Sequence, residues 1–313
     1  MSLIADQQYQ AWLDPGDGVL FAHEDSCALV IVRGERIMSD SLFDFAAVWA
    51  ERMWRHPSER LDPAKDRAFW QEYAERYDER AGDTAAIAQT LAIIGDLLHP
   101  DDTLLDVGAG TGRFTLPLGA RVRHVTALDQ SSAMLYVLRR KAYARGITNI
   151  TLLEADWQDA VVEPHDVVLA AWSLYRLVDL RATLEKMVTV TRRALVIVSG
   201  VGSSPPHRSL IEAICGKWTE SLDPNHLLIA GTLWQMGLLA DVRVVSETRE
   251  IVGSTPYAVA QLLAPDASPD ALDALEEGLL PLLQRCENGW RYAYPQMVGI
   301  VVWLSGSTLS VSV

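Results

Sequence analysis

Gly108, Gly110 and Gly112 stand at alternating positions directly after the apolar run Thr103-Leu104-Leu105-Asp106-Val107. Without β-carbons the backbone can turn sharply, and a ligand can approach the main chain closely. The first amides of a helix beginning beyond such a turn are unpaired donors, so a carboxylate or phosphate is welcome beside them. Strand, glycine turn and helix start together form a nucleotide cradle, although a purely structural tight turn would carry the same glycines. Two more acids join it. Asp129 closes the run Val122 to Leu128, where a carboxylate can accept from both hydroxyls of a ribose. Asp156 follows Ile150 to Glu154, where it can accept from the exocyclic amine of an adenine whose ring Ala155 and Trp157 border. An acid at a strand end is also a common solvated group. The three together fall at the carboxyl ends of successive strands, the edge at which open α/β sheets bind ligands.

These residues need a scaffold, and the pattern around them supplies one. Apolar runs at Thr103 to Val107, Val122 to Leu128, Ile150 to Glu154, Asp166 to Ala171 and Ala194 to Ser199 alternate with helix starts near Gly112, Ser131 and Asp179. That alternation specifies a parallel sheet with helices on both faces. Ahead of it, a helix from Phe69 to Arg80 carries Trp70, Tyr73 and Tyr77 on one stripe, and a second presents Ile87, Leu91, Ile94 and Leu98. Behind it, Pro205-Pro206 opens a helix through Leu210, Ile214 and Trp218, and Asp223-Pro224 caps another through Leu228 to Gly237. A sixth strand spans Val242 to Glu250, a helical stretch includes Leu272, Leu275, Leu279 and Leu283, and a last strand lies near Gln296 to Leu304. Residues 1 to 60 form an extension: two strands, Val19 to Ala22 and Cys27 to Val32, then a helix with Leu42, Phe45, Trp49 and Met53 in register after Ser39-Asp40-Ser41. The expected fold is a doubly wound, Rossmann-like sheet of seven mostly parallel strands over 61–313. Helical segments at 200–240 and 255–288 would build the acceptor side, and the extension is a candidate homodimer surface.

Composition narrows the function. The chain has 313 residues, 49% of them apolar and 22% charged, within the range of ordinary globular proteins. Its 27 basic and 41 acidic residues leave a net charge of -14, which repels a phosphate backbone and argues against nucleic acid as partner. Cys27, Cys215 and Cys286 are too irregularly spaced for a disulfide framework or a metal site, and no His, Cys and carboxylate cluster has ligand spacing. The start, Met1-Ser2-Leu3-Ile4-Ala5-Asp6, lacks the basic and apolar blocks of a signal peptide, and no apolar run reaches the ~20 residues that cross a bilayer. A cytoplasmic location without membrane partners is expected.

Taken together, Leu104-Leu105-Asp106-Val107-Gly108-Ala109-Gly110-Thr111-Gly112, Ala127-Leu128-Asp129-Gln130-Ser131 with Met134-Leu135, Glu154-Ala155-Asp156-Trp157, and Asp166-Val167-Val168-Leu169-Ala170-Ala171-Trp172 resemble the successive motifs of class I S-adenosylmethionine-dependent methyltransferases. The resemblance covers residues 66 to 200 in motif detail. It implies S-adenosyl-L-methionine as cofactor: Asp106, Gly108, Ala109, Gly110 and Gly112 would border the methionine moiety, with Asp106 meeting its ammonium. Asp129 would take the ribose, Gln130 and Met134 would flank the adenine, Ala155, Asp156 and Trp157 would hold its ring and amine edge, and Trp172 would lie beside the sulfonium, where an aromatic face attracts a cation. The helix ending at Tyr77 resembles the lead-in helix that folds over the methionine end in small-molecule members. A nicotinamide-dependent oxidoreductase would need GxGxxG, but Arg113 stands where its third glycine belongs.

The implied reaction is methyl transfer by in-line displacement to a small-molecule acceptor, of which Trp, Leu and Ile in the acceptor-side segments suggest an apolar body. Candidates for handling a proton are Tyr77, Tyr175 and His226, each with a plainer reading as a pocket wall or a helix-start group. A protein that binds the cofactor as sensor or scaffold without turnover would present the same binding motifs.

Overall fold

The computed structural model describes the strand backbones within residues 3–32, and residues 43–55, 62–78, 84–201, 205–216 and 226–308. The Ser39 to Ser41 cap, Trp218 and the Asp223-Pro224 cap fall outside the described residues. The chain divides into two compact units between Asp44 and Phe45.

The smaller unit holds β1 (Leu3–Asp6), β2 (Tyr9–Asp14), β3 (Gly18–His23) and β4 (Ser26–Val32), an antiparallel sheet in the order β1-β2-β3-β4. The hairpin read from the sequence is its β3–β4 half, paired from Gly18↔Val32 to His23↔Ser26. The first two strands add to the hairpin expected from the sequence; β1, only four residues long, is too short to show a period. The helix assigned to the extension, α1 (Phe45–Arg55), belongs instead to the larger unit. Its Trp49 is 1% exposed, and the indole N–H donates to the carbonyl of Leu177 at 2.7 Å. This moves the boundary from about residue 60 to residue 44.

The larger unit is built on β5 (Thr103–Val107), β6 (His124–Asp129), β7 (Ile150–Glu154), β8 (His165–Ala171), β9 (Thr191–Gly200), β10 (Leu238–Gly253), β11 (Leu283–Cys286) and β12 (Gly289–Thr308). Seven of them follow the order β10-β12-β9-β8-β5-β6-β7, and β11 adds to the side of β12. Strands β5 to β9 are mutually parallel, whereas β12 runs antiparallel to both β9 and β10. Neighbouring residues of one strand point to opposite faces. Leu105, Val168, Ile197 and Val301 accordingly join Trp49 and residues of α6 (Leu180–Thr189) and α8 (His226–Gln235) in one core layer. Leu104, Leu169, Val196 and Ile300 join Ile87 and Ile94 of α3 (Ala85–Gly95) in the other. Both faces are thus covered, which is why these strands read as unbroken apolar runs.

Helix α2 (Pro63–Tyr73) opens on Asp62, whose carboxylate accepts from the amide of Ala64 at 2.9 Å, and α4 (Thr115–Gly119) and α5 (Ser132–Ala144) follow β5 and β6. The helices α7 (Pro206–Cys215), α9 (Pro256–Leu263) and α10 (Pro269–Leu279) share their own apolar cluster around Ile211, Ala260 and Leu275. The chain leaves β5 for β6 and β7 on one side and returns to β8 and β9 on the other. A crevice forms where this order reverses, at the carboxyl ends of β5 and β8.

Candidate cofactor site

A cleft lies at this reversal, lined from both of its sides. One wall is the turn after β5. Gly108 has φ +76°, and a β-carbon there would sit 2.3 Å from the β-carbon of Ser173, so only glycine lets the β5 and β8 turns touch. Gly110 has φ +54°, and a β-carbon there would meet nothing within 4 Å: its main chain faces open space. Its amide donates to Oδ2 of Asp129 at 2.8 Å, while the amide of Ser131 donates to Oδ1 at 2.8 Å. Each carboxylate oxygen keeps a second lone pair for a hydroxyl. Burial pushes the pKa of Asp129 up, and the two amides oppose that shift.

Gln130, Met134, Ala155 and Trp157 line the cleft beside Asp129, and Trp172, Ser173, Tyr175, Arg176 and Leu177 line it from the turn after β8. Trp172, with φ +50°, is the only non-glycine residue at positive φ among the described residues. A bulky side chain is uncommon in that conformation, and such outliers gather at functional sites. Trp157 is held from behind by Lys186, whose ammonium lies 4.6 Å from the ring centroid and donates to the Trp157 carbonyl. From α2 and the turn beyond it, Trp70 and Tyr77 cover the cleft. The adjacent Asp78 ties this cover to the glycine turn, accepting from Thr111 Oγ1 at 2.7 Å and Lys141 Nζ at 2.9 Å.

Several expected ligand residues stand elsewhere. Asp106, Ala109, Gly112, Asp156 and His226 are not among the cleft-lining residues. Asp106 is buried behind the turn, where Thr115 Oγ1 donates to it at 2.6 Å, and burial raises its pKa to about 7. Asp156 spends one oxygen on the amide of Gln158 at 3.0 Å and the other on Arg176 Nη2 at 2.9 Å. His226 starts α8 with its ring buried against Gly299 of β12, and burial lowers its pKa, so the imidazole is neutral. Tyr77 and Tyr175 do reach the cleft. Burial raises the pKa of Tyr77, which keeps its phenol protonated, and the Tyr175 hydroxyl donates to Asp66 at 3.2 Å while accepting from the Trp70 indole.

Asp66 lies ahead of the helix that the sequence pattern places at Phe69 to Arg80, because α2 in fact starts at Pro63 and ends at Tyr73. As an acid in the first turn of a helix it would be explained fully by the helix dipole. In the fold its side chain is wholly buried beside Arg176.

Over 69% of its length the chain superposes on 98% of a Bacillus subtilis protein, YcgJ, with a TM-score of 0.52 at 11% identity. A Bacillus halodurans C-125 protein gives 0.52 over 71% of this chain and 99% of its own at 11% identity. Residues 104–194 match the model of the methyltransferase domain family. A malonyl-[acyl-carrier protein] O-methyltransferase of Serratia marcescens is 30% identical over 144 residues, 44% of this chain and 55% of that protein. A 23S rRNA (uracil(1939)-C(5))-methyltransferase of Klebsiella pneumoniae is 28% identical over 140 residues, 43% of this chain and 28% of that one. The chain thus spans about half or less of the length of these curated relatives.

Proposed function

We propose that the protein is an S-adenosylmethionine-dependent methyltransferase acting on a small-molecule acceptor. The observation that carries this reading is the pairing of Asp129 with the open main chain at Gly110: both carboxylate oxygens are anchored by amides, and a β-carbon at Gly110 would meet nothing within 4 Å. Buried polar atoms without partners, Gln130 Oε1, Trp157 Nε1 and Ser173 Oγ, belong to residues lining the same cleft. Such groups call for a polar ligand, since a buried unpaired donor or acceptor costs about 1–3 kcal/mol.

When bound, the cofactor would supply a methyl group already activated on a sulfonium. Asp129 would hold the ribose hydroxyls, with Gln130 and Met134 flanking the adenine and Ala155 and Trp157 bordering it. Trp172, aimed by its left-handed backbone, would offer its face to the positive charge. The protein's remaining work is positioning and exclusion of water, and good alignment alone contributes about 7–11 kcal/mol in favourable cases. Tyr77, protonated at neutral pH, would orient the acceptor by donating a hydrogen bond instead of removing a proton. His226, packed on Gly299, would be structural. This favours an acceptor whose nucleophile is free at neutral pH or loses its proton to water.

Isothermal titration with S-adenosylmethionine and S-adenosylhomocysteine tests the cofactor: micromolar or tighter binding is expected, and binding of neither overturns the reading. Mass spectrometry for added methyl groups across a metabolite extract then tests turnover. Tight binding with no methylated product would identify a sensor.

A further inference from the structure

We infer that Asp66 is a positioning residue that fastens α2 over the cleft and holds its two walls in register, an inference that rests on the cofactor reading above. Asp66 is the one buried residue of α2. A helix normally docks through an apolar stripe, but here the side chain driven inward is a carboxylate. Its partners come from three parts of the fold. Trp70 Nε1, on α2 itself, donates to it at 3.1 Å. Gln130, on the turn after β6, donates through Nε2. From the turn after β8, Tyr175 OH donates at 3.2 Å and Arg176 Nε lies at 3.5 Å. Arg176 passes the connection on to Asp156 after β7, at 2.9 Å. Trp70, Gln130, Tyr175 and Arg176 all line the cleft. One carboxylate therefore orients the side chains that a ligand would touch on both walls, and it stays outside the lining itself.

Closure of α2 and ligand binding draw on the same contacts, so they are thermodynamically linked, and weakening either weakens the other. The charge is central. Removing it leaves Arg176 with Asp156 alone and strands several donors in a buried site, where loss of one partner is costly.

The test combines hydrogen exchange with ligand kinetics on the full chain. In Asp66→Asn, amides of residues 63–76 should lose protection in the ligand-free protein while β5, β8 and β9 keep theirs. The dissociation rate of S-adenosylhomocysteine should rise about tenfold with the association rate unchanged. A general loss of packing would lower protection of the sheet as well, so the two effects separate. Tyr175→Phe removes the bond donated to Asp66 and the one accepted from Trp70 without stranding a charge. It should show the same pattern more weakly, which keeps the question open to measurement if Asp66→Asn fails to fold. Unchanged exchange over 63–76 in both variants overturns the inference, as does loosened exchange with an unchanged dissociation rate. If the wild type binds neither S-adenosylmethionine nor S-adenosylhomocysteine, the proposed function falls, and the ligand-free exchange result still decides whether Asp66 fastens α2.

Discussion

Asp129, half-buried, and Asp106, fully buried, both stand near the carboxyl ends of their strands, yet the fold gives them different work. Asp129 faces the cleft with each oxygen pinned by an amide, so Asp129→Asn should keep its shape but weaken S-adenosylhomocysteine binding about tenfold or more in calorimetry, as expected for losing charged hydrogen bonds. Asp106 is turned away and bonded to Thr115. Its pKa, raised from 3.8 to about 7 by burial and by the neighbouring charge of Asp129, means that the folded state holds a proton the unfolded chain releases. Stability from this group is therefore fully present below pH 3.8 and lost as pH rises through about 7. Asp106→Asn should remove that dependence, so its Tm relative to the wild type should climb between about pH 4 and pH 7 in the ligand-free protein. A constant difference across that range would contradict the assignment. The sequence shows both acids at strand ends but not their facing, because a one-residue change of position along a strand sends a side chain to the other face.

The elements were legible in proportion to their regularity. The boundaries of β5 and β7 coincide with those read from the apolar runs, and β6, β8 and β9 differ at their ends by one to three residues. The strand β11 was hidden inside a leucine pattern of helical period that ends at Leu283, its first residue. The docking of α2 was hidden for another reason: its inward side chain is polar, so periodicity of apolar residues could not reveal it. The glycine turn lends itself to a paired test. Gly108→Ala places a methyl group against Ser173 and should cost several kcal/mol of stability, with binding lost alongside. Gly110→Ala meets no neighbour, so it should cost only about 1–2 kcal/mol for the left-handed backbone while abolishing binding, because the methyl group enters the space reserved for the ligand. Chemical denaturation and calorimetry together separate the two.

For the whole molecule, the net charge of -14 bears on which acceptor the protein can approach. At net -14 it should show no retention of rRNA fragments in filter binding at about 0.1 M salt, where phosphate contacts dominate affinity. Saturable micromolar retention would redirect the search for an acceptor. The N-terminal sheet is a compact unit of its own, and its expected role in self-association can be read from sedimentation of the full chain against one starting at Phe43. Both results concern surfaces, which sequence patterns describe only through composition.

The last long strand, β12, lies between β9 and β10, not at a margin of the sheet. During synthesis β10 therefore leaves the ribosome before its partner, since among the described residues its one neighbouring strand is β12, and β9 keeps an open side for the same interval. The cleft-bearing half, β5 to β9, can assemble first, because all its pairings lie among residues already made. Strand β12 then acts as the closing stitch of the sheet, so that a nascent or clipped protein ending before Gly289 would carry its ligand cradle on a sheet whose β9 side is raw.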